Sequence, residues 1–265
     1  MANAGGEATC TSAEWLQTAS GMSGAGTVGG TTTDMWMKIR MQSATLKSLG
    51  SGTGMGLMGI GALTGVGADK CDVGFQGVTG SKYKVQGVFN ENAVIATSAG
   101  TDLQSALPTW IVPFIWYSTT LGTCGCTIFD DSGNSYASVS TSTSGNMTTG
   151  STLISVNDSN NINYDANQAN TYNGLAIYNS TPPTSGVTQY NPPTVNDSGL
   201  IYLSFMNDAP ASSGAAAQVG TQALANNGGS VTYTGNIGAL WGPPTIRRAQ
   251  IITATYAAMH RRTRW

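Results

Sequence analysis

Met35-Trp36-Met37-Lys38-Ile39-Arg40-Met41-Gln42 alternates one apolar set with a second set containing Trp, Lys, Arg and Gln. In an extended chain successive side chains point to opposite faces. The period of two therefore predicts a strand with Met35, Met37, Ile39 and Met41 on an apolar face and Trp36, Lys38, Arg40 and Gln42 on a wet one.

The same period recurs further along, where Tyr83, Val85 and Phe89 alternate with Lys82, Lys84 and Gln86. Two continuous apolar runs have strand length and are bounded by turn residues. They are Trp110-Ile-Val-Pro-Phe-Ile-Trp-Tyr117 and Leu200-Ile-Tyr-Leu-Ser-Phe-Met206. Such runs suit strands covered on both faces, with Pro113 predicting an edge or a bulge in the first. Weaker strand candidates are 127–129, 136–141, 152–156, 175–178 and 231–234. About ten strands separated by Gly-, Asn-, Ser- and Pro-rich loops predict an all-β, antiparallel sandwich rather than alternating β and α units. The expected form is jelly-roll-like, either single or compact double.

Around this body (residues 31–246) the sequence predicts two appendages and a projection. Thr11-Ser-Ala-Glu14 matches a capping box, so residues 1–30 read as an arm with one short helix carrying Trp15 and Leu16 and ending near Gly21. Gly50 to Gly67 interleaves glycines with Met55, Leu57, Met58 and Ile60. It reads as a long apolar loop suited to a subunit boundary, where glycine lets backbones approach closely. Residues 247–265 form a basic tail in which β-branched Ile251, Ile252, Thr253 and Thr255 favour a strand.

Charge is scarce and segregated. Charged residues are 9% of the 265, against about 25% in ordinary soluble domains. A weakly charged surface resists association poorly, which fits burial against copies of the same chain. No Lys or Arg occurs from Val85 to Ile246, whereas Arg247, Arg248, Arg261, Arg262 and Arg264 crowd the end, next to Trp265. These residues are candidate contacts to an anionic partner: a genome, an inner membrane surface or the acidic face of a neighbour. The opposing reading is pairing with the body's own Asp residues.

Residues 1–30 lack a basic start followed by an apolar run, so no secretory signal is expected. No apolar stretch is long enough to span a membrane as a helix. Cys10, Cys71, Cys124 and Cys126 have no metal-site spacing and read as buried, reduced thiols.

Catalytic and cofactor motifs fail on context. Gly54-Met-Gly56-Leu-Met-Gly59 has the dinucleotide spacing, but the glycines continue to Gly67 and no helix can follow. His260 is the only histidine and sits beside Arg261 and Arg262, which makes a poor general base. Asp130, Ser132 and Asn134 begin a calcium-loop pattern, yet Ser135 and Thr141 stand where Gly and Glu are required. A looser calcium site using Asp130, Asp131 or Asp158 is the residual metal reading; no cofactor is expected. Sequons at Asn146, Asn157, Asn179 and Asn196 are expected by chance in so Asn- and Thr-rich a chain.

In these general features the chain resembles icosahedral coat proteins. The resemblance implies a non-catalytic structural role in a virion: trimers or pentamers building a shell alongside other virion proteins. The candidate subunit contacts are Trp15, Leu16, Met55, Leu57, Met58 and Ile60. One alternative is a phage tail, fibre or decoration protein that meets a host receptor through loops such as 160–178 and 181–193. The other is a secreted glycan-binding or glycan-active β protein.

Overall fold

A computed structural model describes residues 2–10, 15–18, 31–32, 34–44, 54–61, 70–78, 82–89, 94–97, 107–142, 147–148, 154–157, 169–210, 212–220, 222–227, 231–237 and 239–245. Its strands begin with β1 (Ala2–Gly5), β2 (Ala8–Cys10), β3 (Trp15–Thr18), β4 (Thr31–Thr32) and β5 (Asp34–Gln42). Then come β6 (Gly54–Gly61), β7 (Lys70–Val78), β8 (Lys82–Phe89) and β9 (Val94–Thr97). The middle of the chain supplies β10 (Trp110–Ser118), β11 (Thr123–Phe129), β12 (Ser135–Ser142), β13 (Met147–Thr148), β14 (Ile154–Val156) and β15 (Asn170–Tyr178). A 3-10 turn at Val187–Gln189 precedes β16 (Leu200–Ser204), β17 (Gly214–Ala215), β18 (Leu224–Asn227), β19 (Thr232–Tyr233) and β20 (Ala239–Thr245).

The chain is thus an antiparallel, jelly-roll-like β-sandwich. Among the described residues one sheet runs β12-β11-β10-β5-β15-β2-β19, with β16 also on β15, and the other runs β17-β18-β3-β14-β6-β7-β8-β9. A separate ribbon pairs β1 with β20. The chain crosses between the sheets in blocks, with β6 to β9 consecutive in the second sheet and β10 to β12 in the first, and β8 and β9 lie against β11 and β12.

The alternation quoted at the outset decides which side of β5 faces the other sheet. Met35, Met37, Ile39 and Met41 join one apolar cluster with Ile111, Ile115, Cys124, Cys126, Ile128 and Tyr172, and with Leu16, Ile154, Val156 and Leu224 from the second sheet. This is the sandwich interior. A second cluster, with Trp36, Phe114, Tyr178, Phe205 and Trp241, lies on the opposite face of the first sheet.

Four expectations are corrected. The wet face of β5 is dry: Trp36, Lys38 and Arg40 are buried at 3%, 1% and 5% exposure. Burial comes from loops and from β20, whose Trp241 covers this face, and such long-range cover leaves no mark on local periodicity. Pro113 lies neither on an edge nor at a bulge, because β10 is sandwiched between β5 and β11. The ladder to β5 lapses instead between Ile111 and Phe114 with its register kept, accommodating the missing N–H.

The predicted helix is replaced at Trp15–Thr18 by β3, which pairs with β14 and β18. Tertiary pairing overrides a capping-box signal that a single short turn supports weakly. Residues 8–10 and 15–18 therefore belong to the two sheets and not to a detachable arm. The Gly-rich loop likewise contains β6, an interior strand between β14 and β7. Its Gly54, Gly56, Gly59 and Gly61 do not prevent ladder formation, and a bulge falls between Gly56 and Met58.

Candidate functional site

The outer face of the first sheet carries the molecule's described charge chemistry and its described groove. Cross-strand register builds it in rows. Trp116, Trp36 and Tyr178 stand side by side, and Phe114, Lys38 and Ala176 form the next row.

Lys38 donates from Nζ to the carbonyls of Thr188 and Asn191, each at 2.8 Å. The rings of Trp36, Tyr178 and Trp241 surround its ammonium at 5.7 Å. Burial lowers its pKa to about 8, and the Asp197 carboxylate opposes that shift. Arg40 makes a two-pronged bond to Asp131, Nε to Oδ1 at 2.9 Å and Nη2 to Oδ2 at 2.8 Å. Its Nη1 donates to Asn173 Oδ1 at 2.9 Å, and the guanidinium lies 4.1 Å from the Trp110 ring centre. Asn173 is the extra residue of a bulge opposite β5, between Tyr172 and Gly174. The bulge aims its amide at Arg40 and at the Gly6 carbonyl.

Lys38, with the polar groups of its neighbours, fastens segment 179–199 over the sheet. Trp36 Nε1 donates to Ser180 Oγ at 3.1 Å, and Thr181 Oγ1 donates to Asp34 Oδ2 at 2.8 Å. Tyr178 donates its hydroxyl to Asp197 at 2.8 Å, and Asp197 in turn accepts from the Thr194 backbone and hydroxyl. Against a burial penalty, these bonds and Lys38 hold the Asp197 carboxyl below its usual range.

The strapped segment forms one wall of an open groove of about 260 Å³ above β10, β11 and β12. Its floor is Phe114, Trp116, Thr127 and Ser138; its far wall is Pro182, Pro183 and Gln189. Among the described residues, no side chain lining it is ionisable. The described lining therefore offers apolar surface and hydroxyls.

The two described calcium candidates, Asp130 and Asp131, are each engaged elsewhere. Asp131 is turned onto Arg40, while Asp130 accepts from Ser132 N, Asn134 N, Asn134 Nδ2 and the Tyr136 hydroxyl, closing its own turn. Asp158 lies outside the described residues, as do Arg247, Arg248, His260, Arg261, Arg262, Arg264 and Trp265. Among the described residues no group of three or more His, Cys, Asp or Glu gathers. Leu16 is fully buried in the chain's own interior, which removes it as a surface contact. Trp15 lies on β3, and Met55, Leu57, Met58 and Ile60 lie on β6, interior strands of the second sheet.

Sequence reasoning did not find the groove. Its signal was the hydroxyl-rich alternation of Thr123, Thr127, Ser138 and Ser140, which reads as generic solvent-facing strand until a loop walls it in.

No protein-family model matches the chain, and no curated protein does. Among solved structures it is similar to a heptameric SAP-like pentraxin from Limulus polyphemus, with TM-score 0.49 and 6% identity over 84% of this chain and 96% of that one. It is also similar to the full-length tailspike protein 2 of an Escherichia coli O157:H7 bacteriophage, with TM-score 0.40 and 10% identity over 58% and 21% of the two chains. The enzymatically active domain of that phage's tailspike protein 2 gives TM-score 0.46 and 14% identity over 72% and 32%. These superpositions are loose and assign no activity to this chain; its fold rests on the strand pairing given above.

Proposed function

We propose that the chain is a non-catalytic structural protein of a virus or phage particle, assembling with copies of itself, and that its first role is in the shell. The observation that carries this reading is β12. It closes the described first sheet and, beyond a bulge at Tyr136, presents residues 137–142 with no charged residue and no proline. Natural edge strands are guarded by charge, proline, bulges or cover, because an open edge templates pairing with another chain. An uncharged edge on a chain with only 9% charged residues suits a protein whose edge is meant to be paired. Trimers or pentamers are the building blocks in this reading. Trimer or pentamer contacts at Met55, Leu57, Met58 and Ile60 are then carried on a strand rather than on a reaching loop, and the basic residues from Arg247 onward meet the genome, an inner membrane or other virion proteins.

The test is a pair of edge lysines, Ser140→Lys with Ser142→Lys. Both positions are exposed, so the fold should lose no more than about 0.5 kcal/mol. Assembly followed by light scattering should collapse to the smallest soluble unit. Full-sized assemblies from the doubly charged edge would refute the role of β12.

The groove favours a second reading, a tail, fibre or decoration protein that meets a host receptor, because segment 181–193 supplies its wall. Of the secreted glycan-binding or glycan-active alternative, the catalytic half gains no support from the described lining of the groove, which holds no ionisable side chain.

A further inference from the structure

We propose that the groove above β10, β11 and β12 binds a neutral saccharide, with the face of Trp116 as its platform. The proposal rests on the receptor-binding reading and supplies its site and ligand class.

Trp116 is held flat. A Cβ on Gly125 would come within 2.7 Å of Trp116 Cζ2 and 2.8 Å of Cη2, so one face of the indole rests on the β11 backbone where only glycine leaves room. The indole Nε1 donates to Thr123 Oγ1 at 3.3 Å, and Phe114 stacks on it with ring centres 5.7 Å apart at 28°. These contacts fix the orientation of the indole, and the ring lines the groove. A rigid aromatic surface of this kind contributes binding area at little cost in side-chain entropy.

Around the platform stand short groups that both donate and accept. Thr127 Oγ1 and Ser138 Oγ share a hydrogen bond of 2.8 Å, which leaves each hydroxyl further capacity. Gln189 Nε2 is committed to the Pro183 carbonyl at 2.9 Å, so its Oε1 remains to accept. The charges of this face are already matched inside the protein: Lys38 by carbonyls, Arg40 by Asp131, and Asp34 by Ser118, Thr120 and Thr181. An anionic or cationic ligand would find no charged partner among the described lining residues and would lose hydration on entry.

The ligand must therefore be uncharged, with one apolar face and a rim of hydroxyls, which is the chemistry of a neutral pyranose. The space of about 260 Å³ sits just under the range of roughly 300–1,000 Å³ for drug-sized ligands, so it suits one or two sugar rings. A peptide is the poorer match, because the groove lies over the face of the sheet, where β10 and β11 have their ladders already paired, and not along the β12 edge. The bonds that strap segment 179–199 pre-form the wall, so little ordering is required on binding.

The test is a glycan array probed with the full chain, followed by solution titration of the best neutral glycan and of free sialic acid. The expected result is saturable binding of an uncharged glycan and none of the acid. Trp116→Ala should weaken it about tenfold, the loss typical of one aromatic anchor, with Trp116→Phe between the two. Thr184→Arg, on the exposed lip and away from either apolar cluster, should block the groove in a protein that folds normally. A blank array, a preference for acidic glycans, or binding untouched by Thr184→Arg would overturn the proposal. Displacement of the glycan by a proline-rich peptide at lower concentration would also overturn it, in favour of a peptide site. Adhesion of Thr184→Arg protein to host cells at the wild-type level would spare the receptor reading and reject only this site.

Discussion

The two faces of β5 bury the same stretch of chain by different physics. Inward, Met35, Met37, Ile39 and Met41 meet other apolar side chains in the sandwich interior. Outward, Lys38 and Arg40 are as deeply buried, yet each is matched group by group with carbonyls, a carboxylate, an amide and aromatic rings. The inner face needs volume and shape, while the outer face needs particular partners at particular distances. The first supplies the fold's bulk stability. The second fixes where segment 179–199 sits, and with it the wall of the groove.

Single substitutions should separate the two. Ile39→Ala opens a cavity at a fully buried site and is expected to cost about 3–4 kcal/mol in denaturant unfolding. Arg40→Ala strands the Asp131 carboxylate, which is 29% exposed, and should cost somewhat less, about 2–3 kcal/mol. Replacing both members, Arg40→Met with Asp131→Leu, should recover most of that loss, since no charge is then left unpaired. Failure of the double variant to recover would mean that the Asn173 and Trp110 contacts matter more than the ion pair. A conservative inner swap, Met37→Leu, should cost under about 1.5 kcal/mol, because volume is kept.

The outer face also predicts a pH signature that the inner face cannot have. The Lys38 pKa falls on folding from 10.5 to about 8, so between those values the unfolded chain holds more protons than the folded one. Stability from this group therefore rises with pH across that window, by up to about 3 kcal/mol. The buried thiol of Cys124, pushed up to about 12, and the buried Tyr178, Tyr202 and Tyr233 hydroxyls, also raised, act oppositely at alkaline pH. They are common to wild type and Lys38→Met, so the difference between these two proteins isolates Lys38. A flat difference from pH 8 to 10.5 would show that its ammonium is not desolvated as described. The smallest effect should come from Thr127→Val, which removes one half-exposed hydroxyl pair with Ser138 and should cost about 0.5–1 kcal/mol.

The contrast also explains what could be read from the sequence. Alternation located β5 and β8, apolar runs located β10 and β16, and weaker signals marked parts of β11 and β12, because a strand's side-chain period is local information. It said which residues share a face, but not whether that face is wet. Lys38 and Arg40 look solvated until a segment some 150 residues away supplies carbonyl partners for Lys38 and β15 supplies Asn173 for Arg40. β6 was hidden by its glycines and β3 by a capping box, since in both the deciding partner is another strand. Of the site, only the wall segment 181–193 was singled out in advance. The platform was missed because the fit of Trp116 over Gly125 is a cross-strand fact.

The mass of the purified native protein, taken by light scattering with negative-stain imaging of the same sample, tests the assembly claim most directly. The account predicts closed particles or rings of many copies, reduced to small units by lysines at Ser140 and Ser142. A monodisperse monomer that stays soluble at high concentration would contradict it.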